Sequence, residues 1–72
     1  MINSSKLEDK IIQSGLKKKY IAEQLKISIQ TLRQKIYNKN DFLVSEASAL
    51  IEILNIEPEE ANEIFFAKDV DN

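Results

Sequence analysis

Lys17–Tyr37 reads KKKYIAEQLKISIQTLRQKIY. Ile21, Ala22 and Leu25 fall at the three- and four-residue spacing of a helix's inner stripe, which predicts a helix near Lys18–Leu25. Ser28 carries a hydroxyl that can accept a bond from an unpaired backbone N–H at a helix start, so a further helix is expected near Ile29–Tyr37. Only Lys26-Ile27-Ser28 joins the two. So short a turn makes the helices cross steeply and leaves the second standing out from the body, which is the helix-turn-helix arrangement.

Stepping residues by 100° puts Leu32 and Ile36 on one side of this outstanding helix, with Ile29 at the margin. Gln30, Arg33, Gln34 and Tyr37 share the other side and include no acid. In a DNA major groove Gln pairs bidentately with adenine and Arg with guanine. The competing reading is an ordinary amphipathic helix with a solvated face. Lys17, Lys18 and Lys19 oppose the dipole at the start of their helix, a local cost that an anionic partner would offset. Phosphate is the natural anion there, and Asn38, Lys39 and Asn40 suit further contacts to it.

Outward from this core segment, Ser5 and Glu8 have the spacing of a capping box, opening a first helix with Leu7, Ile11 and Ile12 inward and Gly15 as its stop. A fourth helix over about Val44–Leu54 has Ala47, Leu50, Ile51 and Leu54 on its inner face. Pro58 suits the first position of a fifth, with Ala61, Ile64 and Phe65 inward. No segment alternates as a strand does. The expectation is an all-α, compact five-helix bundle, a single domain over 1–72 with 1–5 and 68–72 frayed.

The 72 residues include one Gly, one Pro, and no Cys, His or Trp. Disulfides and the common zinc or haem ligands are therefore excluded, and no cofactor or metal is expected. The commonest general base is missing and one Gly cannot build a phosphate loop, so an enzyme with a small-molecule substrate is not expected. Glu57, Glu59, Glu60 and Glu63 read best as acids favoured by a helix N-terminus. No apolar run approaches membrane length and no signal peptide is expected, which suits a cytoplasmic protein. The net charge of −2 conceals an asymmetry: residues 1–40 hold nine bases against three acids, and residues 41–72 hold one base against nine acids. A basic half can meet phosphate, while an acidic half repels it.

The stretch GLKKKYIAEQLKISIQTLRQKIYNKNDF, residues 15–42, resembles the Cro/lysogeny-repressor helix-turn-helix family of temperate phages and bacterial regulators. SEASALIEILNIEPEEANEIFFA, residues 45–67, looks like the fourth and fifth helices of that lambda-repressor-like fold. The resemblance covers about Lys6–Ala67. It implies phosphate contact from Lys18, where the family usually has Gln, and base contacts from Ile29, Gln30, Arg33 and Gln34. Ile29 can offer only apolar contact, such as to a thymine methyl. Ser28, Tyr37 and Lys39 complete the candidate DNA-binding set. Lys26 and Asn38 stand where the family usually has Gly, and Asn tolerates a left-handed backbone better than most residues.

The short chain and its NEIFFA ending look like small switch proteins of Gram-positive phages, which favour the lytic state in the bacterial host. Some resemble Cro and compete for operator double-stranded DNA. Others, of the modulator-of-repression type, bind the N-terminal domain of the lysogeny repressor itself, and this second type is the preferred expectation. Two features of the residues agree with it. The chain is not basic overall, as DNA-binding domains usually are. Ile53 and Phe66 also fall about 100° outside the inner stripes of their helices, so Ile53, Glu63, Phe65 and Phe66 are the candidate protein-binding set. The competing reading folds Phe66 back into the core.

Overall fold

The structure, a computed structural model, describes residues 1–66. Five helices follow one another, α1 (Ser4–Ser14), α2 (Lys18–Leu25), α3 (Ile29–Ile36), α4 (Val44–Ile53) and α5 (Pro58–Phe65), with no strand among the described residues. None of these helices is long and apolar enough to cross a membrane. The expected fraying of 68–72 lies outside the described residues.

Helix ends explain the short connections. Lys26 is left-handed at φ 62°, its N–H donates to the Glu23 carbonyl at 3.1 Å, and the Ile27 N–H donates to the Ala22 carbonyl at 3.0 Å. That paired closure is the Schellman pattern. The same pattern closes α3 at Asn38 (φ 65°), with Lys39 N–H on the Gln34 carbonyl, and α4 at Asn55 (φ 54°), with Ile56 N–H on the Ile51 carbonyl. Each closure turns the chain within one or two residues. In the last case it also carries Ile56 into the core.

A Cβ in this conformation costs about 1–2 kcal/mol, which Asn partly relieves and Lys does not. Lys26→Gly is therefore expected to raise stability by about 1 kcal/mol, or about 4–8 °C in thermal midpoint. A fall in the midpoint on a calorimetric scan would contradict the strain assigned to this turn.

The core is aliphatic and drawn from every helix: Leu7 and Ile11 of α1, Ile21 and Ala22 of α2, Leu32 and Ile36 of α3, Leu50 of α4, and Ala61 and Ile64 of α5, joined by Leu54 and Ile56. α2 packs on α3 and α4, while α1 packs on α3 and α5. The inner stripes expected for α2 to α5 face this core, with Leu25, Ala47, Ile51 and Phe65 half-buried at its margin.

Three expectations at the N-terminus are corrected. α1 begins at Ser4 and is capped by the Asn3 side chain, which accepts the Lys6 N–H at 3.2 Å, so Ser5 and Glu8 form no capping box. Residues 2–4 are held rather than frayed. The Asn38 side chain accepts the Ile2 N–H at 2.8 Å and donates to the Ile2 carbonyl at 2.9 Å, and the Asn3 N–H reaches the Ile64 carbonyl at 2.8 Å. Ile12 is 73% exposed, because α1 meets its neighbours along Leu7 and Ile11 and ends in the Gly15 turn one residue row away.

Candidate functional site

The front of α2 and α3 collects the basic residues. Ser28 caps α3, its Oγ accepting the Thr31 N–H at 3.0 Å, and this fixes the direction in which α3 leaves the turn. Gln30, Arg33 and Lys39 are exposed, while Ile29 is half-buried against the core. Gln34 is partly occupied, since its side-chain oxygen accepts from Asn40 Nδ2 at 3.0 Å. Asn38 is not free for phosphate, because its amide is spent on Ile2 and Ser4.

Lys18 and Tyr37 are also engaged. Glu8, projecting from α1, lies 3.2 Å from Lys18 Nζ and accepts the Tyr37 hydroxyl on its other oxygen. Lys18 Nζ stands 5.8 Å from the Tyr37 ring centre and completes a three-residue cluster. The Tyr37 hydrogen bond first, then the Lys18 bond and charge, hold the Glu8 carboxyl below its ordinary range against the opposing effect of burial. For Lys18, burial disfavours the charged form, but its bonds and attraction to Glu8 and Tyr37 outweigh this and raise its pKa. The outer face of α3 is free of acids in sequence, yet the fold brings one to its edge.

A shallow groove runs between α1, α2 and α3 beside this cluster. Ile11, Ile12, Leu16 and Ile29 give it an apolar floor, and Lys17, Lys18, Lys19 and Arg33 surround it together with Glu8.

A second groove lies at the other end of α1, where its N-terminal segment meets α4 and α5. Ile2, Phe42, Ile51 and Phe65 form its floor, and Met1, Val44 and Phe66 its edges. Phe42 and Phe65 pack edge to face, with ring centres 5.9 Å apart. Phe66 is 64% exposed and Val44 85%. Phe66 ends α5 outside the core, as its helical angle indicates, and Phe65 beside it lines the same groove.

Ile53 and Glu63 do not join them. Ile53 is half-buried against the core, and Glu63 does not line the groove but pairs with Lys6 of α1 at 2.9 Å, as Glu60 does with Lys10 at 2.9 Å. The residues that complete the groove in their place, Met1, Val44 and Ile51, carry no marking in sequence other than apolarity. The acid that lines it is Asp41. Its side chain makes no ion pair among the described residues.

Behind the two surfaces, Lys35 and Glu46 form a pair that sequence reading missed. Their atoms are 2.9 Å apart, their side chains are only 11% and 10% exposed, and Lys35 Nζ also donates to the Asp41 carbonyl at 3.0 Å. Glu46 accepts the Leu43 N–H at 2.9 Å as well, the one half of a capping box that needs no polar side chain at the N-cap. Among the described residues no group of three or more acids, His or Cys is placed to hold a metal.

No known protein family, curated protein or solved structure matches the chain.

Proposed function

We propose that this chain is a small phage genetic-switch regulator favouring the lytic state, acting as an antirepressor that binds the DNA-binding domain of a lysogeny repressor. In this reading α2 and α3 are a lambda-repressor-like helix-turn-helix used as a scaffold, and the chain works by binding, without catalysis, in the cytoplasm of the bacterial host. The resemblance of residues 15–42 supplies the class. The observation that carries the choice within it is the Phe66 groove: exposed aromatic and aliphatic side chains over an apolar floor, with Asp41 at the edge. Contiguous apolar surface with charge at its rim marks a protein-binding site. The Asp41 carboxylate at its rim suits a basic partner, and a repressor's DNA-reading surface is basic.

The second reading is a Cro-like repressor that places α3 in the major groove of operator DNA. It is favoured by the exposure of Gln30 and Arg33 beside the lysine run. Separate titrations with a repressor N-terminal domain and with an operator fragment distinguish the two. Saturable binding to the repressor domain alone is expected. If operator DNA binds instead, Arg33→Ala should cost about 1–3 kcal/mol and relax the preference at one base pair. DNA binding that is indifferent to this change would remove α3 from that reading.

A further inference from the structure

We infer that Glu8 is a built-in anion that closes the α2–α3 face to nucleic-acid phosphate, and so determines which class of macromolecule that face accepts. The inference rests on reading α2 and α3 as a helix-turn-helix. It goes beyond the antirepressor assignment, which concerns the groove at the far end of α1.

A phosphate lying over the start of α2 would be met by the Lys18 ammonium and the Tyr37 hydroxyl, the long polar groups that converge there from α2 and the end of α3. In this chain one carboxylate already holds both, Oε2 accepting from Tyr37 and Lys18 and Oε1 lying 3.2 Å from Lys18 Nζ. A carboxylate is the side-chain group closest to phosphate in charge and acceptor geometry. It therefore satisfies these donors and repels a phosphate approaching them.

Glu8 has no other visible employment. It is five residues beyond the Asn3 cap, and the capping role its spacing suggests is filled by Asn3. One turn further along the same face of α1 stands Ile12, 73% exposed at the edge of the basic groove. It offers a phosphate backbone nothing to bond. Lys17, Lys19 and Arg33 make no ion pair among the described residues. The face thus keeps its outlying positive charges and loses the central one.

The test is a fluorescence-anisotropy titration of a random-sequence DNA duplex, at salt concentrations from 50 to 200 mM, with the wild type, Glu8→Gln and Glu63→Gln. Both substitutions remove one negative charge, but Glu63 pairs with Lys6 and is not part of the Lys18–Tyr37 cluster. Glu8→Gln is expected to bind about tenfold tighter than wild type at the lowest salt. Its plot of log affinity against log salt should be steeper by about 1, since freeing Lys18 lets one more phosphate be neutralised. Glu63→Gln is expected to stay within about twofold of wild type.

Equal gains from the two variants would assign the effect to net charge and overturn the inference, as would no gain from Glu8→Gln. A cluster that merely ties α1 to α2 and α3 would lower the melting temperature without raising DNA affinity. If Glu8→Gln does not fold, Glu8→Ser carries the same expectation. Repressor binding, measured on the same samples, separates failure of this inference from failure of the antirepressor reading. The first leaves repressor binding intact, and the second abolishes it in the wild type.

Discussion

Lys35→Met is expected to destabilise the domain by about 3 kcal/mol. The substitution keeps most of the aliphatic stem, so the packing loss is small, and what it removes is the partner of a nearly buried carboxylate. Glu46 would then keep the Leu43 N–H as a bonding partner but no cation. A chain of 72 residues has a total stability of about 4–11 kcal/mol, so the loss is a large share of it. Lys35→Met combined with Glu46→Gln should recover most of the loss, because the amide oxygen still accepts from Leu43 and no charge is stranded. Urea unfolding at pH 7 of the two single variants and the double variant measures this coupling, and simple additivity would refute it.

Acid should expose the same pair. Burial pushes the Glu46 carboxyl up, but the Lys35 hydrogen bond, the Leu43 N–H and the Lys35 charge together hold it below its ordinary value of 4.5. A carboxyl lowered in the folded state binds its proton more readily in the unfolded chain, so stability rises with pH across the interval between the two values. Its contribution is complete above about pH 4.5 and is lost as pH falls through the lowered folded value. In Lys35→Met this component should shrink, because only the Leu43 N–H then opposes the effect of burial.

Phe66→Ala is expected to leave the free domain within about 0.5 kcal/mol of wild type and to weaken repressor binding by about 2 kcal/mol or more, roughly thirtyfold. The first half follows from exposure, since a ring that is 64% accessible has little burial to lose on truncation. The second follows from what the ring can gain, because an aromatic anchor covered by a partner removes a large apolar area from water. Phe65→Ala provides the contrast. It is half-buried and packs edge to face on Phe42, so its loss should lower stability as well as binding. Calorimetry of the repressor-domain titration, paired with thermal melts, reads both quantities. If Phe66→Ala unfolds the chain, Phe66 is a core residue and the groove is not a docking surface.

Local pattern alone determined that there are five helices and which faces of α2 to α5 turn inward. Stripes at 3.6-residue period, the Ser28 hydroxyl, Gly15 and Pro58 all act within a few residues of themselves, and α2 to α5 start where those signals place them. The exposed position of Phe66 was legible for the same reason, since it follows from counting along one helix, whereas the left-handed turn at Lys26 was implied by the resemblance, which has Gly there. What could not be read locally is which side chains from distant elements meet.

Glu8 looked like a capping partner and is instead the acid that occupies Lys18 and Tyr37, 10 and 29 residues away. Glu63 was expected beside Phe66 and is drawn off by Lys6, 57 residues earlier. Asn38 was assigned to phosphate and holds Ile2, while Lys35 and Glu46 find each other across the turn between α3 and α4. A charged or amide side chain bonds to whatever the fold brings within about 3 Å, so its role depends on the packing of the helices against one another. An aliphatic side chain needs only to be out of water, and one helix's own periodicity is enough to say which side that is.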